Sequence, residues 1–577
     1  LLGGEGRLKL KRGRRMSEAA NFQSSHPSPP RRGAGGEVLH SHSTTAPTLT
    51  SATDDPTPRP RRTASDLDGP GRRYGVVLTA VLWWLASQQW GWFAFGWIAL
   101  TPLFWALDGL ATRARWRLGY AAGFLGYALI NWWIAPTIAR GSPMIGVSPV
   151  AGMALGIFSV AFIAAVHGLQ VALVAAVWNP AGRLAQRASW SLPILIAVLW
   201  TAVDVVRCES VIAHPWGALA YTQWPDTALL QSVAVIGQHG LTALCVWFAA
   251  SLALWMRRDG AVLWLAPVLV FLTLHVWGAW RLAQPMAISG VLRVLLVQTN
   301  VPSLRKNNLV GGESEFSQVW RLTQAAARRG QFDLIVWPET TVEIVSRRAN
   351  EPAIREGEAG RQIRAIDTLS HTLQTCLLFG ARRHSVDDRG NPTIRNDAVL
   401  VTPNGVELSS AKQHLVPFGE RAPFGEYWPF LRRFAPRPEM SPALEVENLS
   451  LPAMRQPAPV GSRPTGSFEE GISIGTLICF ESCFFEPARS LRRAGAQALF
   501  VLTNDEWFLG TNVPWQHAAM ATVRAVENGV AVAQVANGGY SFVVDARGRF
   551  MVNPSHSTRA ISTPGQPQAV PVIVPLS

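Results

Sequence analysis

The chain has 577 residues, too many for one ordinary globular domain, and 48% of them are hydrophobic. Its 52 basic and 38 acidic residues give a net charge of +14, but much of the excess lies in the N-terminal tail and in short loops between apolar segments. Basic residues in such places attract anionic lipid and orient membrane segments, so the charge does not indicate a nucleic-acid partner. The five cysteines form no paired framework, and no spacing resembles a metal site, so we expect neither a metal nor a cofactor.

Residues 1–73 are rich in Ser, Pro, Gly, Thr and Arg, a composition that cannot bury a core, and we expect a disordered basic tail. From residue 74 to about 281, long uncharged runs alternate with short basic connectors, which is typical of a polytopic membrane domain. A signal peptide is a poor alternative because the apolar region recurs six or so times. We predict seven spans, at 75–90, 92–110, 118–138, 150–177, 190–207, 228–255 and 261–280.

The basic connectors indicate which side of the membrane each loop occupies. The first two spans form one uncharged stretch with arginines at both ends, and basic residues favour the cytoplasmic side, so the stretch should turn back at 88–91. Seven crossings that start inside end outside, and everything after residue 280 is predicted to be extracytoplasmic. The residues assigned to the cytoplasmic side are Arg72, Arg73, Arg113, Arg115, Arg117, Arg183, Arg187, Arg257 and Arg258.

Two polar islands, 131–136 and 204–221, interrupt the apolar region on the predicted outer side. Ionisable groups near a bilayer are costly and usually have a function. Asp204 and Arg207 either line a cleft through which lipid enters or pair with each other at a helix end, and the sequence leaves both interpretations open.

Residues 290–565 have the pattern of a soluble domain in which strands alternate with helices, which predicts one α/β domain with layered sheets. The Pro-rich loop 436–467 lacks periodicity, and we expect a mobile lid or an exposed insertion. Residues 566–577 are expected to form a C-terminal tail. The predicted strands are 291–298, 334–337, 376–380, 398–402, 472–478, 498–503, 530–535 and 541–545.

The stretch Gly475-Thr-Leu-Ile-Cys479-Phe-Glu481 places a thiol at the end of an apolar strand, beside free backbone N–H groups, where a nucleophile would lie. Taken alone, such a cysteine is more often a small core residue. Two other strand ends carry reactive groups, Glu339 in Trp337-Pro-Glu339 and Lys412 ahead of a Pro and Gly turn. A partly buried glutamate can take the thiol proton, and a nearby ammonium favours the thiolate and the developing oxyanion.

These motifs resemble those of a known family, the bacterial apolipoprotein N-acyltransferases, which are membrane enzymes with a carbon–nitrogen hydrolase (nitrilase-like) domain. The resemblance spans residues 74 to about 548 and implies an α-β-β-α sandwich beside the membrane helices. The motifs are Trp337-Pro-Glu339, Lys412 with Leu415-Val-Pro-Phe-Gly-Glu420, Cys479-Phe-Glu481, Thr503-Asn-Asp-Glu-Trp-Phe508 and Pro514-Trp-Gln-His517. The last two of these motifs distinguish the family from soluble nitrilases.

The resemblance implies that Glu339 is the general base and acid, that Lys412 stabilises the transition state and that Cys479 is the nucleophile. The backbone N–H of Phe480 could join Lys412 in holding the oxyanion. The supporting residues would be Glu420, Phe480, Glu481 and Asn396, and those of substrate or lipid access would be Trp216, Trp507 and Trp515.

In this family the sn-1 acyl chain of a phospholipid, typically phosphatidylethanolamine, passes to the cysteine as a thioester. It then passes to the α-amino group of a diacylglyceryl-cysteine at a lipoprotein N-terminus, by ping-pong kinetics. The resemblance therefore implies a multi-pass enzyme of the bacterial inner membrane with its catalytic domain on the periplasmic side, and we expect a monomer. Its partners would be the phospholipid donor, the diacylated apolipoprotein and the bilayer.

Two other functions stay open at this point. One is a membrane-tethered amidase that uses water as the acceptor, and the other is a catalytically silent lipid-binding scaffold. The chain also departs from the family, because Phe480 replaces a tyrosine often found after the nucleophile and no final membrane span follows residue 566.

Other polar residues receive plainer interpretations. Arg524 and Glu527, three residues apart on a predicted helix, should form a structural ion pair. His517 is expected to pack beside Trp515 rather than to transfer protons. Three isolated cysteines in apolar segments are predicted to be core residues: Cys208, Cys245 and Cys376.

Overall fold

The computed structural model describes residues 70–88, 91–182, 190–210, 212–256, 262–306, 311–435, 438–445, 447–452, 471–551 and 561–577. The predicted tail up to residue 69, the connectors at 183–187 and 257–258 and residues 453–467 of the predicted loop lie outside these ranges. The first helix begins at Pro70, inside the segment predicted as tail.

The first part of the described chain is helical, and its apolar side chains share one core. Its helices are α1 (Pro70–Ala86), α2 (Phe95–Ile98), α3 (Thr101–Leu107), α4 (Thr112–Ile130), α5 (Ile134–Gly141), α6 (Pro149–Val177), α7 (Ser191–Glu209), α8 (Leu219–Thr222), α9 (Thr227–Leu230), α10 (Val233–Trp255) and α11 (Val262–Ala283).

Four of the described helices are long and apolar enough to cross a membrane, namely α6, α7, α10 and residues 264–283 of α11. The predicted number of seven spans stays a prediction. Within the span predicted at 92–110, α2 and α3 make up a shorter apolar helical segment, Phe95–Leu107, so this span also stays a prediction. Pro102 lies in the first turn of α3, where its missing N–H suits the start of a helix.

The span predicted at 118–138 also ends early. Helix α4 stops at Ile130, and the side-chain amide of Asn131 donates to the carbonyl of Tyr127 at 2.9 Å. The chain turns there and continues in α5, so the polar residue that opens the island 131–136 caps a helix.

Helices α4 and α6 pack closely because glycines line their contact. A Cβ atom at Gly123 would lie 2.8 Å from the Cβ of Val171 and 2.9 Å from the Cα of Gly168. Small residues let helix backbones approach in this way, and van der Waals contact then stabilises the pair within lipid.

The rest of the chain, from Gly290, forms two β-sheets. A seven-stranded sheet has the order β12-β1-β2-β4-β5-β6, with β3 beside β4, and a five-stranded sheet has the order β11-β10-β9-β8-β7. The strands are β1 (Gly290–Gln298), β2 (Leu334–Val336), β3 (Val342–Arg348), β4 (Cys376–Val386), β5 (Pro392–Val401), β6 (Glu407–Ala411), β7 (Leu449–Leu451), β8 (Ile472–Ile478), β9 (Ala498–Asn504), β10 (Ala531–Asn537), β11 (Phe542–Val544) and β12 (Gln568–Leu576).

The two sheets stack on each other, and side chains from both, such as Leu296 and Phe500, form the core between them. The other face of the larger sheet packs against α13, and that of the smaller sheet packs against α15 and α16. This arrangement is the α-β-β-α sandwich that the sequence predicts. The helices of this domain are α12 (Ser303–Lys306), α13 (Glu315–Ala327), α14 (Gly357–Leu373), α15 (Phe485–Arg493) and α16 (Val513–Asn528).

Two predictions at the edges of this domain are wrong. Residues 568–576 are not a tail but strand β12, which pairs antiparallel with β1 along its whole length, from Gln568 opposite Gln298 to Leu576 opposite Gly290. The predicted loop 436–467 also contains a strand, β7, which pairs with β8. Strand β12 is apolar and partly alternating in burial, and β7 is only three residues long.

We expect Gly123→Ala to lower the free energy of unfolding by about 1–3 kcal/mol, because the added methyl group overlaps Val171 and the backbone of Gly168. Thermal unfolding in detergent would measure the loss. Gly71→Ala is the matched control, since no atom lies within 4 Å of a Cβ placed there. Equal melting temperatures for the two variants would contradict the close packing of α4 and α6.

Candidate active site

Three reactive side chains lie at strand ends, as the sequence predicts. Glu339 follows β2 after two residues, and Lys412 and Cys479 directly follow β6 and β8. Strands β2 and β6 belong to the larger sheet and β8 to the smaller one, so the three residues meet where the stacked sheets end.

Lys412 lies between two carboxylates. Its Nζ donates to Oε1 of Glu420 at 2.9 Å and to Oε1 of Glu339 at 3.3 Å. The side-chain amide of Asn396 donates to the same two oxygens, at 3.2 Å and 2.8 Å. Lys412 is only 1% exposed and Glu339 only 5%, so this cluster is shielded from water.

The charge of Lys412 depends on these carboxylates. Burial alone would lower the pKa of its ammonium, but Glu420 and Glu339 outweigh burial and hold that pKa above its usual value. The side chain is therefore a permanent cation at neutral pH, which suits a group that stabilises developing negative charge.

Glu339 is positioned through its backbone. The ammonium of Lys306 donates to the Glu339 carbonyl at 2.6 Å and pairs with Glu315 at 2.5 Å. Gly380 of β4 lies so close that a Cβ there would be 2.5 Å from the Cα of Glu339. Lys306 and Gly380 were missed from the sequence, because nothing in the spacing of either residue points to Glu339.

Cys479 occupies a strained turn. Its φ is +53°, a left-handed conformation that costs a non-glycine residue about 1–2 kcal/mol, so the surroundings must hold it. Glu481 holds this conformation from one side. Its carboxylate accepts hydrogen bonds from the backbone N–H groups of Ile478 at 2.8 Å, Gln413 at 2.6 Å and His414 at 3.2 Å. Glu481 thereby ties the Cys479 turn, residues 479–483, to the loop that follows Lys412.

Burial perturbs the two ionisable groups of the Cys479 turn in the same direction. It raises the pKa of Glu481 to about 7, although three backbone donors oppose the shift. Burial and the nearby Glu339 raise the pKa of the Cys479 thiol to about 12, with Lys412 acting against them. The resting thiol is therefore protonated, and a base must remove its proton as it reacts.

The Cys479 turn is docked on the helical part. The ring of Phe480 stacks on that of Trp216, with centroids 6.0 Å apart and an interplanar angle of 10°. The carbonyl of Cys483 accepts hydrogen bonds from the hydroxyl of Tyr221 at 3.0 Å and from Nη1 of Arg524 at 3.3 Å. Residues from both parts of the chain therefore hold the candidate nucleophile.

The polar island 204–221 supports this docking. Arg207 donates to Asp204 at 2.5 Å, so the predicted pairing is present, and it also donates to the carbonyl of Trp216 at 2.7 Å. His214 of the same island hydrogen-bonds Asn131 of the other island at 2.8 Å. The two islands thus form one buried polar cluster behind Trp216.

The three tryptophans assigned to access lie in two places. Trp216 and Trp515 line one cavity between the helical part and α16, and Trp515 also packs edge-on against Trp224 with centroids 4.5 Å apart. Trp507 lies apart from them against α5, where Gly141 leaves room for its ring and Arg140 donates to its carbonyl.

Among the plainer interpretations, the packing of His517 beside Trp515 is wrong. Its ring hydrogen-bonds Asp505, Ser482 and the carbonyl of Cys479 instead of packing on Trp515. The motifs at 503–508 and 514–517 carry two of these residues, but sequence alone does not pair them.

The other structural interpretations are confirmed. Arg524 pairs with Glu527 at 3.0 Å, and it also donates to Gln238 of α10 at 2.8 Å. All three cysteines assigned to the core are buried: Cys208, Cys245 and Cys376.

Within the described ranges, no group of three His, Cys, Asp or Glu residues is arranged to hold a metal ion.

Two family models match this chain. The carbon–nitrogen hydrolase model matches residues 303–566, and the model of the apolipoprotein N-acyltransferase N-terminal domain matches residues 79–251. The first match covers most of the sandwich, including the three strand-end residues, and the second covers most of the helical part.

Relatives match over most of their length. The apolipoprotein N-acyltransferase of Geobacter metallireducens is 29% identical over 490 residues, which are 83% of this chain and 86% of the relative. That of Rhizobium meliloti is 28% identical, covering 88% of this chain and 92% of the relative.

Solved structures resemble about half of the chain. Nit3 of Saccharomyces cerevisiae, a member of the nitrilase superfamily, is 17% identical with a TM-score of 0.34, covering 50% of this chain and 93% of its own. An amidase from Nesterenkonia sp. is 17% identical with a TM-score of 0.31, covering 51% and 93%.

Fold and site together define a membrane protein that carries a carbon–nitrogen hydrolase domain on a bundle of apolar helices. Over most of its length the chain is similar to apolipoprotein N-acyltransferases, and it contains both of the domains that the two family models describe.

The raised pKa of Cys479 predicts how its thiol reacts. Because that pKa is about 12, the thiolate fraction should increase about tenfold per pH unit from about pH 7 to about pH 10. We expect the rate of carbamidomethylation of Cys479, followed by mass spectrometry in detergent, to rise throughout this range. An ordinary cysteine levels off above its pKa of about 8.5, and such a plateau here would contradict the assignment.

Proposed function

We propose that this protein matures lipoproteins by moving the sn-1 acyl chain of a phospholipid, through a thioester on Cys479, to the α-amino group of a diacylglyceryl-cysteine. The names of its relatives support this reaction. The observation that carries the proposal is the position of the Cys479 turn, which packs on Trp216 and Tyr221 of the helical part while it faces the buried Lys412 cluster.

The first half-reaction needs a base, a nucleophile and a cation. Glu339 takes the proton of the Cys479 thiol as the sulfur attacks the ester carbonyl, and Lys412 stabilises the oxyanion. The C–O bond to glycerol breaks, Glu339 returns the proton to the leaving oxygen, and a lysophospholipid departs. The acyl chain remains on Cys479 as a thioester.

The second half-reaction restores the enzyme. The neutral α-amino group of the lipoprotein attacks the thioester carbonyl, Glu339 takes a proton from the nitrogen, and the C–S bond breaks. The sulfur leaves as a thiolate and regains that proton, so the amide product and the free thiol are formed. Donor and acceptor need not be bound together, which is ping-pong kinetics.

Glu420, Asn396 and Glu481 have supporting roles in this scheme. Glu420 shares the Lys412 ammonium with Glu339, and Asn396 donates to both carboxylates, so the two residues orient the base and the cation. Glu481 holds the turn that carries the nucleophile. The phenylalanine at position 480 packs on Trp216 through its ring, which does not use a hydroxyl group.

Exclusion of water separates a transferase from a hydrolase. The Lys412 cluster is buried, and Phe480, Trp216 and Phe484 give the Cys479 turn aromatic neighbours. An acyl-enzyme in such surroundings survives until an amine arrives. The alternative of an amidase that uses water is not favoured, because the relatives and the N-terminal family model both point to acyl transfer to lipoproteins.

We further propose that residues 74–281 lie in the bacterial inner membrane as about seven spans and that the α/β domain works on the periplasmic side as part of a monomer. The distribution of basic connectors supports this orientation. Phosphatidylethanolamine is the proposed donor.

The first half-reaction predicts an acyl adduct. Incubation of the purified protein with phosphatidylethanolamine should add one acyl chain to Cys479, seen by intact mass and released by hydroxylamine. Glu339→Gln should slow the adduct by about 10²–10⁴-fold, because the base is lost. Cys376→Ala, which removes a buried thiol on β4, is the control that should still be acylated. An adduct of the same size on Cys479→Ala would refute the mechanism.

The second half-reaction predicts the acceptor. When the acylated protein receives a diacylated lipopeptide, an N-acyl lipopeptide should form, as measured by mass spectrometry. The same lipopeptide with an acetylated N-terminus has no attacking amine and should leave the thioester intact. Release of free fatty acid at equal rates with both peptides would support the amidase alternative instead.

A further inference from the structure

A buried hydrogen-bonded chain lies behind the Cys479 turn. Nδ1 of His517 is 3.0 Å from Oδ1 of Asp505, and its Nε2 is 2.8 Å from Oγ of Ser482 and 3.1 Å from the carbonyl oxygen of Cys479. Asp505 follows β9, His517 lies on α16, and Ser482 belongs to the turn itself. All of these side chains except that of Cys479 are buried.

The partners determine which atoms donate. A carboxylate and a backbone carbonyl can only accept hydrogen bonds, so the ring donates from Nδ1 to Asp505, and Nε2 binds the Cys479 carbonyl when it carries a hydrogen; toward the Ser482 hydroxyl, Nε2 can donate or accept. His517 with hydrogens on both nitrogens is an imidazolium. Burial alone would lower the pKa of this histidine, but the Asp505 carboxylate outweighs burial and raises that pKa well above its usual value.

The carbonyl that His517 contacts belongs to the strained residue. A left-handed φ at Cys479 persists only if the peptide groups on both sides are held. Glu481 holds the preceding side through the N–H of Ile478. On the following side, His517 and the Ser482 hydroxyl both lie within hydrogen-bonding distance of the Cys479 carbonyl, at 3.1 Å and 3.0 Å.

We propose that His517, oriented by Asp505, is a positioning residue for acyl transfer: its Nε2–H holds the Cys479 carbonyl and thereby aims the thiol at the ester carbonyl. The inference rests on the proposed function of Cys479 as the nucleophile. His517 itself does not exchange protons with the substrate in this account. It acts through the backbone, and Ser482 is an auxiliary donor.

A purely structural ion pair is the competing explanation, and two isosteric amides separate it from positioning. A glutamine amide nitrogen can occupy the place of Nε2, whereas an asparagine amide nitrogen occupies the place of Nδ1. We would combine each with Asp505→Asn, so that no unpaired carboxylate is buried. The double variants are Asp505→Asn with His517→Gln and Asp505→Asn with His517→Asn.

The glutamine variant keeps a donor for the Cys479 carbonyl, and we expect it to form the acyl adduct within about threefold of the wild-type rate. The asparagine variant loses that donor, and its rate should fall by about 10–100-fold, since small displacements of reacting groups have effects of this size. Thermal unfolding shows whether the two proteins are equally stable. His371→Gln, on the exposed face of α14, is the control and should react like wild type.

Carbamidomethylation of Cys479 provides a readout that needs no lipid. If wild type forms no acyl adduct, the proposed function fails. The alkylation rates still test the positioning role, which predicts a rate near wild type for the glutamine variant and a different rate for the asparagine variant. Equal acylation and alkylation rates in the glutamine and asparagine variants, at equal stability, would overturn it.

Ser482→Ala decides the question if either double variant does not fold. This change removes only the auxiliary hydroxyl, so acylation should stay within about threefold of wild type while His517 still holds the carbonyl. A loss of more than about tenfold would assign the positioning role to Ser482 and overturn the inference for His517.

Discussion

The buried ammonium of Lys412 is the interaction on which the site depends. A lone charge in this place would be unfavourable by several kcal/mol, so Lys412 requires Glu339 and Glu420, and they in turn require it. The same cluster explains the state of the thiol. A thiolate at Cys479 would be poorly solvated and close to the negative charge of Glu339, so the pKa of the thiol is raised. The arrangement therefore favours negative charge only while the reaction proceeds, when Glu339 holds the proton.

The second constraint is the strained Cys479 turn, which several elements hold at once. Glu481 binds its start to the loop after Lys412, His517 and Ser482 lie at its central carbonyl, and Tyr221 with Arg524 binds its end. Tyr221 comes from the helical part, and Phe480 packs on Trp216 of that part. A shift of the helices would therefore reach the nucleophile directly, which gives a physical reason for carrying a hydrolase-type domain on membrane helices.

Particular elements show how far sequence patterns reach. Strand β8 has the predicted bounds, 472–478, because an apolar run followed by polar residues marks a buried strand and its end. The apolar run 92–110 predicts one apolar segment, but its hydrophobicity does not locate the start of α3 at Thr101. Strand β12 is apolar but contains two prolines, which obscure a strand in the sequence, and the structure shows it paired with β1.

The sequence by itself determined the two-part architecture, the positions of most strands along the chain and the three strand-end residues Glu339, Lys412 and Cys479. These features depend on local hydrophobicity and on short motifs. Only the tertiary structure decided the sharing of Lys412 between two carboxylates, the support of the Cys479 turn and the partners of His517. Asp505 and Ser482 are 12 and 35 residues from His517 in the chain. Contacts between such distant residues arise from the stacking of sheets and helices, which no single segment encodes.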